Sequence, residues 1–186
     1  MCGIFSILNA NDVSHDFVNE QFFKGQKRGP ESSKLVHLDN SYFGFHRLAI
    51  NGLNDKSNQP FTINNIFLIC NGEIYNYKYL YELMEIKPET DSDCEVIIHL
   101  YLKYGIEQTL QMLDGVFAFI LYDTTNQQVY VARDPYGVRP LYHLFKKTDV
   151  CSSSCCFIGF ASELKCLSDF NIICDSYLIQ QFTPGT

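Results

Sequence analysis

The sequence predicts an α+β fold with largely antiparallel sheets. Strand-like segments occur towards both ends of the chain, and two helical patterns lie between them. A doubly wound parallel sheet would need a regular alternation of strands and helices, which this order lacks. The 186 residues are 46% hydrophobic and 19% charged. This composition favours one folded domain with a substantial core, over residues 2–186.

Apolar patterning places the N-terminal elements. Residues 2–8 are apolar and too few to form the core of a helix, so we expect a buried strand. A helix is expected from about Ser14, which can cap it, to the turn at residues 25–30. Its apolar face would consist of Phe17, Val18, Gln21 and Phe22. Residues 42–50 predict the next strand, and the Asn- and Gly-rich residues 51–60 predict a loop.

Turn and capping signals define the middle of the chain. Residues 66–70 predict a strand that ends at Asn71-Gly72, a dipeptide typical of tight turns. Ser92 and Glu95 have the spacing of a capping box at the start of a helix, and a second short helix is expected near residues 106–113. Strands are then expected at residues 116–122, 128–133, 141–145 and 157–161, and a short helix at residues 162–167.

Composition argues against several classes of function. The net charge is −7 and there is no run of Lys or Arg, so nucleic-acid binding is not expected. No apolar stretch approaches the roughly 20 residues of a membrane span, and the N-terminus lacks the pattern of a signal peptide. We therefore expect a cytoplasmic protein with no membrane partner.

The cysteines predict neither disulfides nor a metal site. A reducing compartment disfavours disulfide bonds among the eight cysteines. Zinc sites pair their cysteines at set spacing. Neither the Ser-rich segment with Cys151, Cys155 and Cys156 nor the later Cys166 and Cys174 has that spacing. We expect ordinary thiols at these positions.

Cys2 is the first candidate for chemistry because of its position. Removal of Met1 would leave a terminal residue that carries both a thiol and an α-amine. The amine titrates near ~8 and the thiol near ~8.5, so the amine can serve as general base without a histidine. A buried cysteine in the first strand is the alternative interpretation.

Three further positions match what amide hydrolysis needs. The carboxamide of Asn71 and the backbone N–H of Gly72 could stabilise an oxyanion, although an ordinary Asn-Gly turn also explains them. Arg47, in an apolar strand, requires a carboxylate partner from a substrate or from the chain itself, and its neighbour His46 is assigned no role. Asp93, in the first turn of a helix, could hold an ammonium group or simply complement the helix dipole.

Six motifs occur in a set order from residue 2 to about Gly185. They are Met1 to Phe5, Arg28-Gly29-Pro30, Phe43 to Ala49, Cys70 to Asn76, Asp114 to Phe119 and Arg133 to Leu141. Together they resemble the glutaminase domain of glutamine-hydrolysing asparagine synthetases, which is a class II glutamine amidotransferase domain. The resemblance covers nearly the whole chain.

The resemblance implies a fold and a set of roles. The fold would be a four-layer αββα sandwich of N-terminal-nucleophile hydrolase type, with two stacked antiparallel sheets. Glutamine would be hydrolysed through a thioester on Cys2, with Asn71 and Gly72 as the oxyanion hole. Arg47 would bind the α-carboxylate of glutamine. The α-ammonium would be bound by Glu73 and Asp93, and the pocket would be lined by Leu48, Ala49, Ile50 and Asn51.

The sequence departs from the usual family pattern at two motifs. Lys27 and Glu31 stand around the Arg-Gly-Pro turn where the family usually has His and Asp. Asn51-Gly52 follows Ile50 where the family usually has an Asp, so the rim of the pocket is expected to differ.

The resemblance also implies a synthetase domain, which would follow a Pro-Gly such as Pro184-Gly185. That domain would bind ATP, Mg and aspartate, and no cofactor is expected within residues 2–186. The ammonia would then serve asparagine synthesis by a synthetase domain or a separate subunit.

Two other functions are left open by the motifs. The same glutaminase could serve another acceptor, of the phosphoribosyl pyrophosphate or fructose 6-phosphate type. The motif at Arg133 to Leu141 resembles both branches, whereas the motif at Phe43 to Ala49 favours asparagine synthetase. The chain could instead be a catalytically silent module that binds glutamine or a protein partner. A retained Met1 would favour that function, because it blocks the α-amine.

Overall fold

A computed structural model describes residues 1–146, 157–173 and 176–185. The strands are β1 (Gly3–Leu8), β2 (Ser32–Leu38), β3 (Ser41–Arg47), β4 (Phe61–Ile63), β5 (Ile66–Ile74), β6 (Gly115–Asp123), β7 (Gln128–Arg133), β8 (Tyr142–Lys146), β9 (Ile158–Ala161) and β10 (Tyr177–Gln181). The helices are α1 (His15–Phe23), α2 (Tyr77–Met84), α3 (Val96–Met112) and α4 (Phe170–Ile173). Single 3-10 turns occur at Gln26–Arg28, Asp55–Ser57, Asp93–Glu95 and Leu164–Cys166.

The described residues form two compact units, each with its own antiparallel sheet. The first unit contains Met1–Leu48 and Pro140–Thr183, and the second contains Ala49–Arg139 and Pro184–Thr186. The first sheet has the strand order β10-β8-β9-β1-β3-β2, and the second has the order β4-β5-β6-β7. Neighbouring strands are antiparallel throughout both sheets. The predicted combination of helices with antiparallel sheets is confirmed.

The first unit confirms the predicted N-terminal strand and helix. The Ser14 hydroxyl accepts the backbone N–H of Phe17 at 3.2 Å and so caps α1. The helix buries Val18, Gln21 and Phe22 against the sheet. The core of this unit includes Phe5, Ile7, Val18, Phe22, Leu144 and Phe170.

The strand predicted at residues 42–50 was wrong at its end. β3 stops at Arg47 because its two neighbours supply pairing partners only that far. On one side the last pair is Gly3 with His46, and on the other it is Ser32 with Arg47. The residues after Arg47 therefore leave the sheet.

The turn predicted at Asn71-Gly72 was wrong. β5 continues through both residues to Ile74, because β6 pairs with it along its whole length. A Cβ added to Gly72 would lie 2.8 Å from the carbonyl oxygen of Val116, so only glycine fits this close approach of the strands. The core of the second unit includes Leu68, Cys70, Leu80, Ile97, Phe117, Phe119 and Leu121.

The capping box predicted at Ser92 and Glu95 was also wrong, although a helix does begin there. A 3-10 turn precedes α3, and the Ser92 hydroxyl accepts the N–H of Cys94 at 3.3 Å. The carboxylate of Glu95 turns away to other partners. Within α3, Gly105 has a φ of 76° and separates the two predicted helical segments.

The later strands are confirmed as β6, β7, β8 and β9 with small shifts at their ends. The short helix expected at residues 162–167 is a single 3-10 turn.

Cys151, Cys155, Cys156 and Cys174 lie outside the described residues. Among the residues that are described, no group of His, Cys, Asp and Glu side chains could hold a metal ion. None of the described helices is long and apolar enough to span a membrane.

Candidate active site

Cys2 lies directly before β1 and is half-buried. Its Sγ is 3.4 Å from the backbone nitrogen of Leu48 and 3.3 Å from the Leu48 carbonyl oxygen. The pairing of Gly3 with His46 brings the start of β1 beside the end of β3 and explains this contact. The thiol is therefore held at the first residue of the predicted pocket segment.

Arg28 fixes the backbone of Cys2. Its Nε donates to the Cys2 carbonyl oxygen at 2.8 Å, and its Nη1 is 3.8 Å from the carboxylate of Glu163. The residue after it, Gly29, lies so close to β3 that an added Cβ would be 2.4 Å from the carbonyl carbon of Arg47. The Arg-Gly-Pro motif predicts a turn at Arg28 but no role for its side chain.

Arg47 is the last residue of β3 and is 7% exposed. Its backbone carbonyl accepts the N–H of Glu31 at 3.2 Å, which fixes the end of the strand. The neighbouring His46 packs against Phe22 with ring centroids 4.0 Å apart, and its Nε2 lies 2.9 Å from the Phe22 carbonyl oxygen. Burial lowers the pKa of His46, so it is a neutral packing residue.

The segment after Arg47 becomes progressively more exposed. Leu48 and Ala49 are half-buried, whereas Ile50 is 64% exposed and Asn51 is also exposed. Gly52 follows with a φ of +62°, and a Cβ there would lie 2.3 Å from the Ser57 hydroxyl. A residue with a side chain would not fit this turn, so the position after Asn51 requires glycine.

One edge of β5 presents the backbone of Gly72. Phe117, the partner of Gly72 on β6, directs both its N–H and its C=O to Asp134 on its other side, at 3.3 and 2.8 Å. Gly72 and Phe117 therefore form a non-hydrogen-bonded pair, and the Gly72 N–H and C=O point away from β6. β4 covers that edge only opposite Ile66 to Leu68.

Asn71 and Glu73 lie on one face of β5, because side chains two residues apart in a strand point the same way. Asn71 is 2% exposed, and its Nδ2 has no hydrogen-bond acceptor among the described residues. Glu73 is half-buried. A buried amide donor without an acceptor is costly, so Asn71 is a candidate for a group that binds a ligand.

Asp93 occupies the 3-10 turn before α3 and is 4% exposed. Its Oδ2 accepts the N–H of Ile74 at 2.7 Å, and its Oδ1 accepts the Nδ2 of Asn51 at 3.2 Å. The Cys94 thiol donates to the Gly72 carbonyl at 3.8 Å. The second unit thus brings Asn51, Gly72 and Asp93 together around the end of β5.

Glu95 anchors the segment that leads into this turn. It is fully buried, and its carboxylate accepts the N–H groups of Glu89 and Thr90 at 2.8 and 2.7 Å and contacts His99 Nε2 at 2.9 Å. Burial opposes ionisation, but these hydrogen bonds outweigh it and hold the pKa of Glu95 below its ordinary value. The capping-box spacing with Ser92 predicts a different partner for Glu95 from those observed.

The predicted site residues fall into two groups, one in each unit. In the first unit, the Cys2 thiol touches Leu48, the residue after Arg47. In the second unit, Asn51 bonds Asp93, which bonds the strand that carries Asn71, Gly72 and Glu73.

Comparisons with known proteins agree with these motifs. Residues 1–183 match the family described as "Glutamine amidotransferase domain". The chain is similar to proteins named "Asparagine synthetase [glutamine-hydrolyzing]". It is 38% identical to that of Mesocricetus auratus, 37% to that of Homo sapiens and 38% to that of Gallus gallus, each over 199 aligned residues. Each match covers 100% of this chain but only 33% of the relative, so the chain spans about a third of these proteins. The chain therefore belongs to the glutamine amidotransferase domain family.

Proposed function

We propose that this chain hydrolyses glutamine to glutamate and ammonia with the thiol of Cys2 as the nucleophile. Once Met1 is removed, the α-amine of Cys2 takes the thiol proton, and Sγ attacks the side-chain amide carbon of glutamine. The tetrahedral oxyanion collapses, the amine proton passes to the departing nitrogen, and ammonia leaves. Water then cleaves the γ-glutamyl thioester and restores the free thiol.

The observation that carries this proposal is the Nδ2 of Asn71, a buried donor without an acceptor among the described residues. With the N–H of Gly72 it provides two donors for the oxyanion. Donors fixed before the reaction need no reorganisation when the negative charge develops.

Charged groups would recognise the two ends of the amino acid. Arg47 binds the α-carboxylate, which a guanidinium can hold through two parallel hydrogen bonds. Glu73 and Asp93 bind the α-ammonium. Leu48, Ala49, Ile50 and Asn51 line the pocket largely through their backbone.

The ammonia would serve asparagine synthesis, as the names of the relatives suggest. ATP, Mg and aspartate would bind to a synthetase domain or subunit, and this domain would hold no cofactor. The relatives give no support to phosphoribosyl pyrophosphate or fructose 6-phosphate as the acceptor. We also propose the four-layer αββα arrangement of N-terminal-nucleophile hydrolases for the two sheets, and a cytoplasmic location.

Ammonia release from glutamine tests the proposal. The wild-type chain should release ammonia and glutamate in equal amounts, and Cys2→Ala should release none above background. Equal rates for the two proteins would refute the role of Cys2. A wild-type chain that binds glutamine without turnover would instead identify a silent binding module.

A further inference from the structure

Gln59 is a buried side chain that takes the place of a neighbouring strand beside β5. It is 5% exposed. Its Oε1 accepts the N–H of Cys70 at 2.6 Å, and its Nε2 donates to the C=O of the same residue at 3.0 Å. β4 does not extend as far as Cys70. A single carboxamide therefore satisfies both the N–H and the C=O that Cys70 directs to this edge of β5.

The alternation of the strand places Gly72 between two such attachments. In an antiparallel strand, every second residue directs its backbone groups to the same edge. Cys70, Gly72 and Ile74 therefore share one edge of β5. Gln59 binds the first of them, and Asp93 binds the third through its N–H at 2.7 Å.

We infer that Gln59 is a positioning residue for the oxyanion donors, an inference that rests on the proposed function. Gln59 binds Cys70, which lies one residue before Asn71 and two before Gly72. It therefore fixes the part of the strand that carries both oxyanion donors. Without the carboxamide, the N–H and C=O of Cys70 lose their partners, and the strand must shift to find others. Gln59 would act on the oxyanion donors only through the backbone of Cys70.

A positioning role predicts a specific kinetic signature. The oxyanion exists only in the transition state, so displaced donors lower kcat and leave glutamine binding almost unchanged. Loss of one donor costs about 10²- to 10³-fold, and displacement by a fraction of an ångström should cost less. We therefore expect Gln59→Met to lower kcat about 10- to 100-fold with KM within about threefold.

Asn76 provides a matched control in the same unit. Its carboxamide also joins one backbone donor and one backbone acceptor, with Asp114 N at 3.1 Å and Met112 O at 2.9 Å. It lies beyond the end of β5 and holds no oxyanion donor. Asn76→Leu should therefore reduce thermal stability but leave kcat unchanged.

The experiment measures kcat, KM and thermal stability for the wild-type chain, Gln59→Met and Asn76→Leu. A fall in kcat confined to the Gln59 variant supports the inference. Unchanged kcat in that variant overturns it, as does an effect on KM alone or an equal fall in kcat for Asn76→Leu. If Gln59→Met fails to fold, Gln59→Glu carries the test, because its carboxylate keeps an acceptor for Cys70 N but cannot donate to Cys70 C=O. We expect kcat to fall at nearly unchanged KM in this variant, and an unchanged kcat overturns the inference. A wild-type chain without turnover contradicts the proposed function itself, whereas an active wild type with unaltered Gln59 variants contradicts only this inference.

Discussion

The carboxylate of Asp93 accepts the backbone N–H of Ile74 at 2.7 Å, and this bond ties the start of α3 to the end of β5. Its second oxygen accepts the side-chain amide of Asn51 at 3.2 Å. Both bonds come from neutral donors, so the negative charge of Asp93 is oriented but not neutralised by them. This arrangement suits a group that binds an ammonium ion.

Loss of the charge on Asp93 should weaken glutamine binding. Asp93→Asn keeps an acceptor for Ile74 but cannot pair with the α-ammonium. We expect KM to rise about 10- to 100-fold with a smaller change in kcat, as for loss of a charge-assisted hydrogen bond. Steady-state kinetics checks this, with Asp91→Asn as the control at an exposed aspartate two residues earlier. Equal KM values for both variants would contradict the role of Asp93.

Removal of the Asn71 carboxamide should impair catalysis more than binding. We expect Asn71→Ala to lower kcat about 10²- to 10³-fold, because a donor of the oxyanion hole is lost. KM should change little. Asn65→Ala removes an exposed carboxamide that bonds Thr125 in the same unit and should leave both constants unchanged. A rise in KM at constant kcat would show that Asn71 binds the ground state instead.

Arg47→Ala should mainly weaken glutamine binding, because the α-carboxylate loses its cation. We expect KM to rise at least about tenfold, since hydrogen bonds to charged groups contribute about 1.5–3 kcal/mol. Lys34→Ala, on the adjacent strand β2, removes an exposed cation and serves as the control. Wild-type KM in Arg47→Ala would point to an internal partner for this arginine.

Stability at acid pH should depend on Glu95. Its pKa in the folded protein lies below the ordinary value of 4.5. The ionised carboxylate therefore stabilises the fold above about pH 4.5, and this contribution disappears as the pH falls through the lowered value. Glu95→Gln should have a lower free energy of unfolding at pH 7 and a weaker dependence on pH below about 4.5. Denaturant unfolding from pH 3 to 7 measures both, and identical pH profiles would contradict the assignment.

Local signals identified several elements but not their ends. Ser14 caps α1 as predicted, since an N-cap bond spans only three residues. Whether Asn71-Gly72 forms a turn or a strand depends on β6, whose pairing residues lie more than 40 positions later in the chain. The end of β3 at Arg47 likewise depends on the lengths of β1 and β2.

The candidate site also combines residues that sequence signals indicate with residues whose roles depend on tertiary contacts. Residue type and position indicated Cys2, Arg47, Asn71, Gly72 and Asp93, and the resemblance added Glu73 and Leu48 to Asn51. The groups that support these residues depend on tertiary contacts. Gln59 falls within the predicted loop at residues 51–60, and nothing local indicates that it bonds Cys70. Glu95 has the spacing of a capping box with Ser92, but its burial directs it to Glu89 and Thr90. β2 is half-exposed and lacks a strong apolar pattern, so it was not predicted. α2 was also not predicted, although its buried residues Leu80, Tyr81 and Met84 have helical spacing.

The most direct test of the central claim is intact mass with and without 6-diazo-5-oxo-norleucine, followed by peptide mapping. This electrophilic glutamine analogue should react only where a glutamine site presents an activated nucleophile. We expect a chain without Met1 that carries a single adduct on Cys2. A chain that retains Met1, or that forms no adduct at Cys2, would contradict it.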